Sequence, residues 1–252
     1  MEQSPILNDK AAYVKRLFNS IARHYDLMNL LITGGTFAYW QRVFLRYTRF
    51  QPGERVLDLC TGTAGLALGL APQVVPGGQV VGVDFSEAML AVGRDKVSRS
   101  RFKDVVELLY GDAMALPFPD NSFDGVTIGF ALRNVADLPQ TLREMYRVLK
   151  PGGRAFSLEL SHPRHPLWRG PYKFYFEKIV PWLGRLNEKG LAGSGGLRPY
   201  AYLPYSLRHF PDQDRLADLF RQAGFVAVGY QELTGGIVSI HYGTKPAKGA
   251  QV

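Results

Sequence analysis

From Gln51 onward, short runs of β-branched and aliphatic residues alternate with stretches whose apolar positions recur every three or four residues. Strands are predicted near residues 54–59, 79–84, 105–110, 123–129 and 154–160, with helices between them. That alternation predicts a parallel sheet covered by helices on both faces. Asn134 to Leu149 reads as an amphipathic helix, with Leu138, Leu142, Met145 and Leu149 at helical spacing and a stop at Pro151-Gly152-Gly153. Phe210-Pro211-Asp212 opens a further helix to about Ala223. Two strands then flank Thr234-Gly235-Gly236 as a hairpin, so the sheet should carry one antiparallel strand. Residues 9–48 read as helices broken at Thr33-Gly34-Gly35. They either cover one side of the sheet or form a lid, since Tyr25 and Asn29 stand at i and i+4 on one helical face. No repeat or low-complexity tract interrupts the pattern, and Lys245 to Val252 are expected to fray.

The first strand, Arg55-Val56-Leu57-Asp58-Leu59, breaks into the small-residue loop Cys60-Thr61-Gly62-Thr63-Ala64-Gly65 before a helix pattern resumes. The second strand, Gln79 to Asp84, ends in an acid where a ribose diol needs an acceptor. Together they point to a nucleoside-containing cofactor. Cys60 and Ala64 stand where the dinucleotide fingerprint has glycines, and a pyrophosphate needs that close backbone approach. A cofactor without phosphates does not, and S-adenosylmethionine (SAM) is such a cofactor.

Individual residues then acquire candidate roles. Asp58 either orients the Gly62 loop, touches the cofactor's amino group, or caps a turn. Asp84 accepts from the ribose hydroxyls, or caps the helix starting at Ser86-Glu87-Ala88. Asp112 and Ala113, after the third strand, are placed to meet an adenine edge, and Gly129 leaves room for the methionine portion. Arg133 and Asn134 follow the carboxyl end of the fourth strand, where parallel sheets put their active sites. The plainer reading of Arg133 is a salt bridge to Asp137 or a helix cap. Cys60 reads as a small buried filler rather than a nucleophile. His241, flanked by Ile240 and Tyr242, reads either as a structural histidine or as a catalytic relay.

Composition adds a second theme. The 252 residues suffice for one full core, and 30 Lys and Arg against 22 acids leave a net charge of +8. Residues 163–210 hold eight basic and two acidic side chains among ten aromatics. Such a surface suits nucleic acid, an anionic membrane face or a hydrophobic pocket with a polar rim. A single cysteine excludes an internal disulfide and any cysteine-cluster metal site, so no metal is expected, and it fits a cytoplasmic location. No signal peptide or bilayer-spanning apolar run is evident, so any contact with a membrane, such as its inner face, would be peripheral.

The chain resembles the ubiquinone/menaquinone biosynthesis C-methyltransferases (UbiE/MenG-type), within the class I SAM-dependent methyltransferases. The likeness is carried by Tyr25-Asp26-Leu27-Met28-Asn29, the Asp58–Gly65 loop, Leu116-Pro117-Phe118-Pro119, Ala131-Leu132-Arg133-Asn134-Val135, Lys150-Pro151-Gly152-Gly153 and Gly235-Gly236-Ile237-Val238. It implies a Rossmann-like α/β fold with a seven-stranded, mostly parallel sheet and one antiparallel strand. It also implies an N-terminal helical cap over residues 1–50, a methyltransferase domain over 51–252, and an insertion after the fifth strand at 163–210. By analogy, Asp58, Gly62, Thr63, Asp84, Asp112, Ala113 and Gly129 line the SAM site. Where family members often read Gly-Thr-Gly-Asp, this chain reads Gly62-Thr63-Ala64-Gly65, so the acidic contact at that corner is missing.

The resemblance implies methylation of a ring carbon on a polyprenyl quinol precursor in menaquinone or ubiquinone biosynthesis. The ring must be made electron-rich by loss of a hydroxyl proton, a group that titrates near ~10. Arg133 could favour that loss by charge, with Asn134 fixing ring oxygens and Tyr25 or His241 as relays. Residues 163–210 then become a tail groove facing an anionic membrane. Nucleic acid is not the expected partner, and a homodimer is left open. Two alternatives stand beside this reading: a SAM enzyme for another small molecule, lipid or RNA, and a noncatalytic binding module on a degenerate methyltransferase fold.

Overall fold

The computed structural model describes residues 10–164, 170–172, 174–180, 199–247 and 249. The aliphatic runs become β1 (Arg55–Leu59), β2 (Gln79–Asp84), β3 (Val106–Tyr110), β4 (Phe123–Gly129) and β5 (Leu149–Leu160). The C-terminal hairpin supplies β6 (Val226–Leu233) and β7 (Val238–Thr244). They form one sheet in the order β3-β2-β1-β4-β5-β7-β6, in which β7 runs antiparallel to both of its neighbours. The seven-stranded sheet with one antiparallel strand is therefore as expected.

Alternation within each strand feeds two cores. Val56, Val80, Phe156 and Leu158 pack against α3 (Thr36–Thr48) and α4 (Gly65–Val74). Leu57, Val81, Val126 and Ile128 pack on the other face against α6 (Leu138–Val148) and α8 (Gln213–Gln222). Each fully buried aliphatic side chain contributes about 1.5–3 kcal/mol. Helix α5 (Glu87–Ser98) follows β2, and its N-cap is Ser86, whose Oγ accepts from the Met89 amide at 3.2 Å.

The N-terminal helices are α1 (Lys10–Ile21), a 3₁₀ turn at Ala22–His24, and α2 (Tyr25–Ile32), followed by the expected break at Thr33-Gly34-Gly35. Val14, Leu17 and Ile21 of α1 bury themselves with Met89 of α5 and with Tyr202 of α7 (Pro199–Arg208). Residues 165–169, 173 and 181–198 of the proposed insertion lie outside the described residues. Its described remainder contributes a π-helical turn, Tyr175–Ile179, and α7.

Two boundaries differ from the sequence reading. Helix α6 starts at Leu138 rather than Asn134, because Asp137 caps it by accepting the Gln140 amide at 2.8 Å and Pro139 suits the first turn. Asn134 is thereby left in the loop. Strand β5 begins at Leu149 rather than 154, with the Pro-Gly-Gly segment absorbed where its register against β4 shifts.

Candidate active site

Two cavities open at the carboxyl ends of β1, β2 and β4, and both are lined by Phe18, Tyr25, Phe130 and Asn134. The first lies against the sheet and is walled by Cys60, Gly62, Asp84, Asp112, Ala113 and Gly129. The second, about 270 Å³, is enclosed by α1, α2, α3 and α7 and is mainly apolar.

The sheet-side cavity is shaped by an unusual backbone. Cys60, Gly62 and Ala64 all adopt left-handed φ, at 51°, 57° and 62°. The two positions that lack the expected glycines still take up a conformation that favours glycine, at a cost expected near active sites. The turn brings the Gly62 amide to the Asp84 carboxylate at 2.8 Å. The other Asp84 oxygen accepts from the Ser86 amide at 2.8 Å, so Asp84 braces the helix start without being its N-cap. Burial pushes the Asp84 carboxyl up to about 6, with the Ser86 and Gly62 amides pulling it back. Each carboxylate oxygen keeps an unused lone pair, as a ribose diol requires. Asp112 turns one oxygen to the Met114 amide at 2.9 Å and borders the same cavity with Ala113. These acceptors fit the nucleoside of SAM.

Asp58 and Thr63, both expected at the SAM site, stand just behind the wall of the sheet-side cavity, where other side chains engage them. Asp58 is buried and accepts from the hydroxyls of Thr61 and Thr127, both at 2.7 Å. Register explains this: Asp58 lies opposite Thr127 of β4, so its side chain is consumed inside the sheet. Burial pushes its carboxyl up to about 6, and it steadies the loop through the Thr61 hydroxyl rather than the Gly62 amide. The Thr63 hydroxyl donates to Asp26 at 2.8 Å and accepts from Lys96 at 2.9 Å, while Lys96 also pairs with Asp26. This network ties α2 and α5 to the loop. Cys60, read as filler, lies on the cavity wall, although burial raises its thiol well above the ordinary range and keeps it inert.

In the apolar cavity, Arg133 does not meet Asp137. Its Nη1 donates to the Phe130 carbonyl at 2.7 Å and pairs with the fully buried Glu159. Glu159 also accepts from the Leu160 amide at 2.8 Å. Burial pushes the Glu159 carboxyl up, and the adjacent guanidinium opposes that. The Arg133 Nε and Asn29 Nδ2 atoms are buried in the cavity wall without a hydrogen-bond partner, as is the Tyr202 hydroxyl. Asn134 reaches the Phe130 carbonyl at 3.4 Å. Phe130 itself has φ 55°, a strained geometry at the junction of the two cavities. Burial raises the Tyr25 hydroxyl above its ordinary value.

His241 is corrected outright. It is fully buried on β7, between Phe220 and Tyr230, with Nε2 donating to the Gln213 carbonyl at 2.8 Å, and it lines neither cavity. Burial lowers its pKa to about 4. Glu159, conversely, was missed by the sequence reading. An acid inside the apolar run Ala155-Phe156-Ser157-Leu158-Glu159-Leu160 was the available signal, since buried acids are paired. Among the described residues no cluster of metal ligands occurs, and no helix is long and apolar enough to cross a membrane.

Comparison with known proteins agrees with this geometry. The chain is 47% identical over 247 residues to a demethylmenaquinone methyltransferase of Symbiobacterium thermophilum, covering 98% of each protein. It is 43% identical over 238 residues to the enzyme of the same name from Desulfitobacterium hafniense, covering 94% of this chain and 92% of that protein. Its fold resembles a SAM-dependent methyltransferase from Aquifex aeolicus with a TM-score of 0.58 at 20% identity, covering 81% and 88% of the two chains. Residues 6–245 match the profile of the ubiE/COQ5 methyltransferase family, and the chain belongs to that family.

Proposed function

We propose that the protein methylates a ring carbon of a polyprenyl naphthoquinol, converting demethylmenaquinol to menaquinol with SAM as methyl donor. The observation that carries this reading is the shared wall of the two cavities: Tyr25, Phe130 and Asn134 border both a nucleoside-fitting site and an apolar chamber. Demethylmenaquinone methyltransferase is also the name carried by the relatives described above.

SAM, when bound, supplies a methyl group activated by its sulfonium. Asp84 would hold the ribose hydroxyls, Asp112 and Ala113 would border the adenine, and the Cys60–Gly62 turn with Gly129 would leave room for the methionine part. The quinol ring would lie in the apolar chamber, whose lining includes the Arg133 side chain and the Asn134 amide as groups able to meet its oxygens. A charge-assisted hydrogen bond to the ring oxygen favours the anion and lowers a hydroxyl pKa otherwise near ~10. Transfer of that methyl would make the ring carbon–methyl bond as the carbon–sulfur bond of SAM breaks, and the ring carbon would then lose its own proton to restore aromaticity. The described lining of the chamber contains no carboxylate and no histidine, and its hydroxyl groups are those of tyrosine, threonine and serine side chains.

A substrate of this kind is dissolved in a bilayer, so the protein meets it at a membrane surface. The test is incubation with SAM and demethylated naphthoquinol or benzoquinol, followed by mass analysis. Faster methylation of the naphthoquinol is expected, and methylation of neither ring refutes the proposal. Arg133→Ala should lower kcat on the order of a hundredfold without weakening SAM binding. Full turnover by that variant would remove Arg133 from the mechanism.

A further inference from the structure

Seven large apolar side chains are prominently exposed among the described residues, and four of them, Leu27, Leu30, Leu31 and Phe174, gather at α2. Leu27, Leu30 and Leu31 stand on the outer side of α2, each more than half exposed, while Met28 and Ile32 of the same helix face the apolar chamber. Phe174, 62% exposed, precedes Tyr175, whose hydroxyl bonds the Ile32 carbonyl, so it is anchored at the same end of α2. Tyr39 and Tyr47 stand on α3, which follows after the tight turn.

Charge completes the pattern. Residues 27–53 contain no Asp or Glu, yet include Arg42, Arg46 and Arg49, which line one open groove at the end of α3. None of the three meets a carboxylate among the described residues, so all three charges are left to face outward, as are those of Arg16 and Arg23 nearby in the chain. A leucine ridge beside an acid-free arginine ladder is the combination that seats a helix pair in the interface of an anionic bilayer.

We propose that the outer side of the α2–α3 helix pair, Leu27, Leu30, Leu31 and Phe174 with Arg42, Arg46 and Arg49, is the surface that docks on an anionic lipid bilayer. It rests on the lipid substrate proposed above and supplies its route: the docked side of α2 faces lipid while the opposite side lines the chamber. The N-terminal helices thus add a docking surface to the one expected of the basic segment 163–210, whose residues 165–169, 173 and 181–198 lie outside the described residues.

The test uses the full chain with vesicles of phosphatidylglycerol and phosphatidylcholine, or of phosphatidylcholine alone. Co-sedimentation should occur with the anionic vesicles and weaken as salt rises. R42Q/R46Q/R49Q should weaken partitioning on the order of a hundredfold on anionic vesicles, at roughly fivefold per arginine. L27S/L30S/L31S should weaken it at least about tenfold on both compositions. Both variants should turn over a short-tail, water-soluble quinol at the parent rate and lose turnover of a polyprenyl quinol embedded in vesicles. Parent-like vesicle binding by both variants overturns the assignment. So does a dimer in sedimentation velocity, without lipid, that the same substitutions dissociate, because a second copy would then cover this surface. Vesicle binding is read without catalysis, so a chain that docks but methylates neither quinol refutes the substrate alone.

Discussion

Glu159→Gln isolates the residue that the proposed mechanism depends on without touching either cavity wall directly. Every neighbour of the Glu159 carboxylate is a donor: Arg133 Nη1 and the Leu160 amide on one oxygen, and the Arg133 amide at 3.4 Å on the other. Glutamine has the same shape but must turn its amide nitrogen toward one of those donors. It also leaves the Arg133 guanidinium, whose side chain is only 9% exposed, without its counter-charge. Breaking a buried pair in this way costs about 3–5 kcal/mol. Against a total stability of about 5–15 kcal/mol, that loss is large. In urea, with a slope of about 3 kcal/mol/M, the midpoint should fall by about 1–1.7 M. Turnover at a temperature where the variant remains folded should also fall, because Arg133 loses the contact that orients its Nε. SAM affinity by calorimetry should stay at the parental level, since neither Glu159 nor Arg133 borders the sheet-side cavity. A midpoint within about 0.3 M of the parent, together with full turnover, would refute the reasoning.

Three further outcomes follow from the site. Asp84→Asn should weaken SAM about 10–100-fold in calorimetry, the loss of one charge-assisted pair of hydrogen bonds, while leaving the KM for the quinol unchanged; unchanged SAM affinity would remove Asp84 from the ribose site. At Gly82→Ala the added Cβ would meet Leu108 Cδ2 at 2.6 Å and Thr61 Oγ1 at 2.9 Å. Overpacking there should cost about 1–3 kcal/mol and weaken SAM binding by displacing the loop that Thr61 anchors to Asp58, which a thermal melt with and without SAM reports. His241 has a folded pKa of about 4 against about 6.5 unfolded, so the unfolded chain binds the extra proton and stability falls as pH drops from about 6.5 to about 4. Asp58 and Asp84, raised to about 6, act the other way, adding stability as pH falls below about 6. The measurement is therefore the difference between parent and His241→Phe: the variant should lose on the order of 3 kcal/mol less between pH 7 and 4 and should keep its turnover. A variant that folds but is inactive would restore His241 to the chemistry.

Linear order was sufficient for the strands and for the loop and acids that border the sheet-side cavity. Period-two and period-three-to-four patterns report local burial, so β1, β2, β4 and the C-terminal hairpin could be read directly, and the apolar-to-small transition at Asp58–Gly65 marked the loop. Asp84 was legible because a strand-end acid before a helix keeps its carboxylate at the carboxyl edge of the sheet. The resemblance to a methyltransferase family was carried by motifs of the same local kind.

What the chain could not disclose is which side chains meet across it. Asp58 was drawn into the sheet by its register with Thr127, and Glu159 was matched to an arginine 26 residues earlier in the chain. His241 was enclosed because β7 runs antiparallel between β5 and β6, which brings Tyr230 beside it, with Gln213 of α8 at its ring nitrogen. Local order along the chain carried the elements, the loop after β1 and the acids beside it, because these depend on residues within one turn or one strand. Only the tertiary structure decided which polar groups are spent on one another and which remain to face a ligand, because hydrogen-bond partners and burial are set by contacts between distant segments.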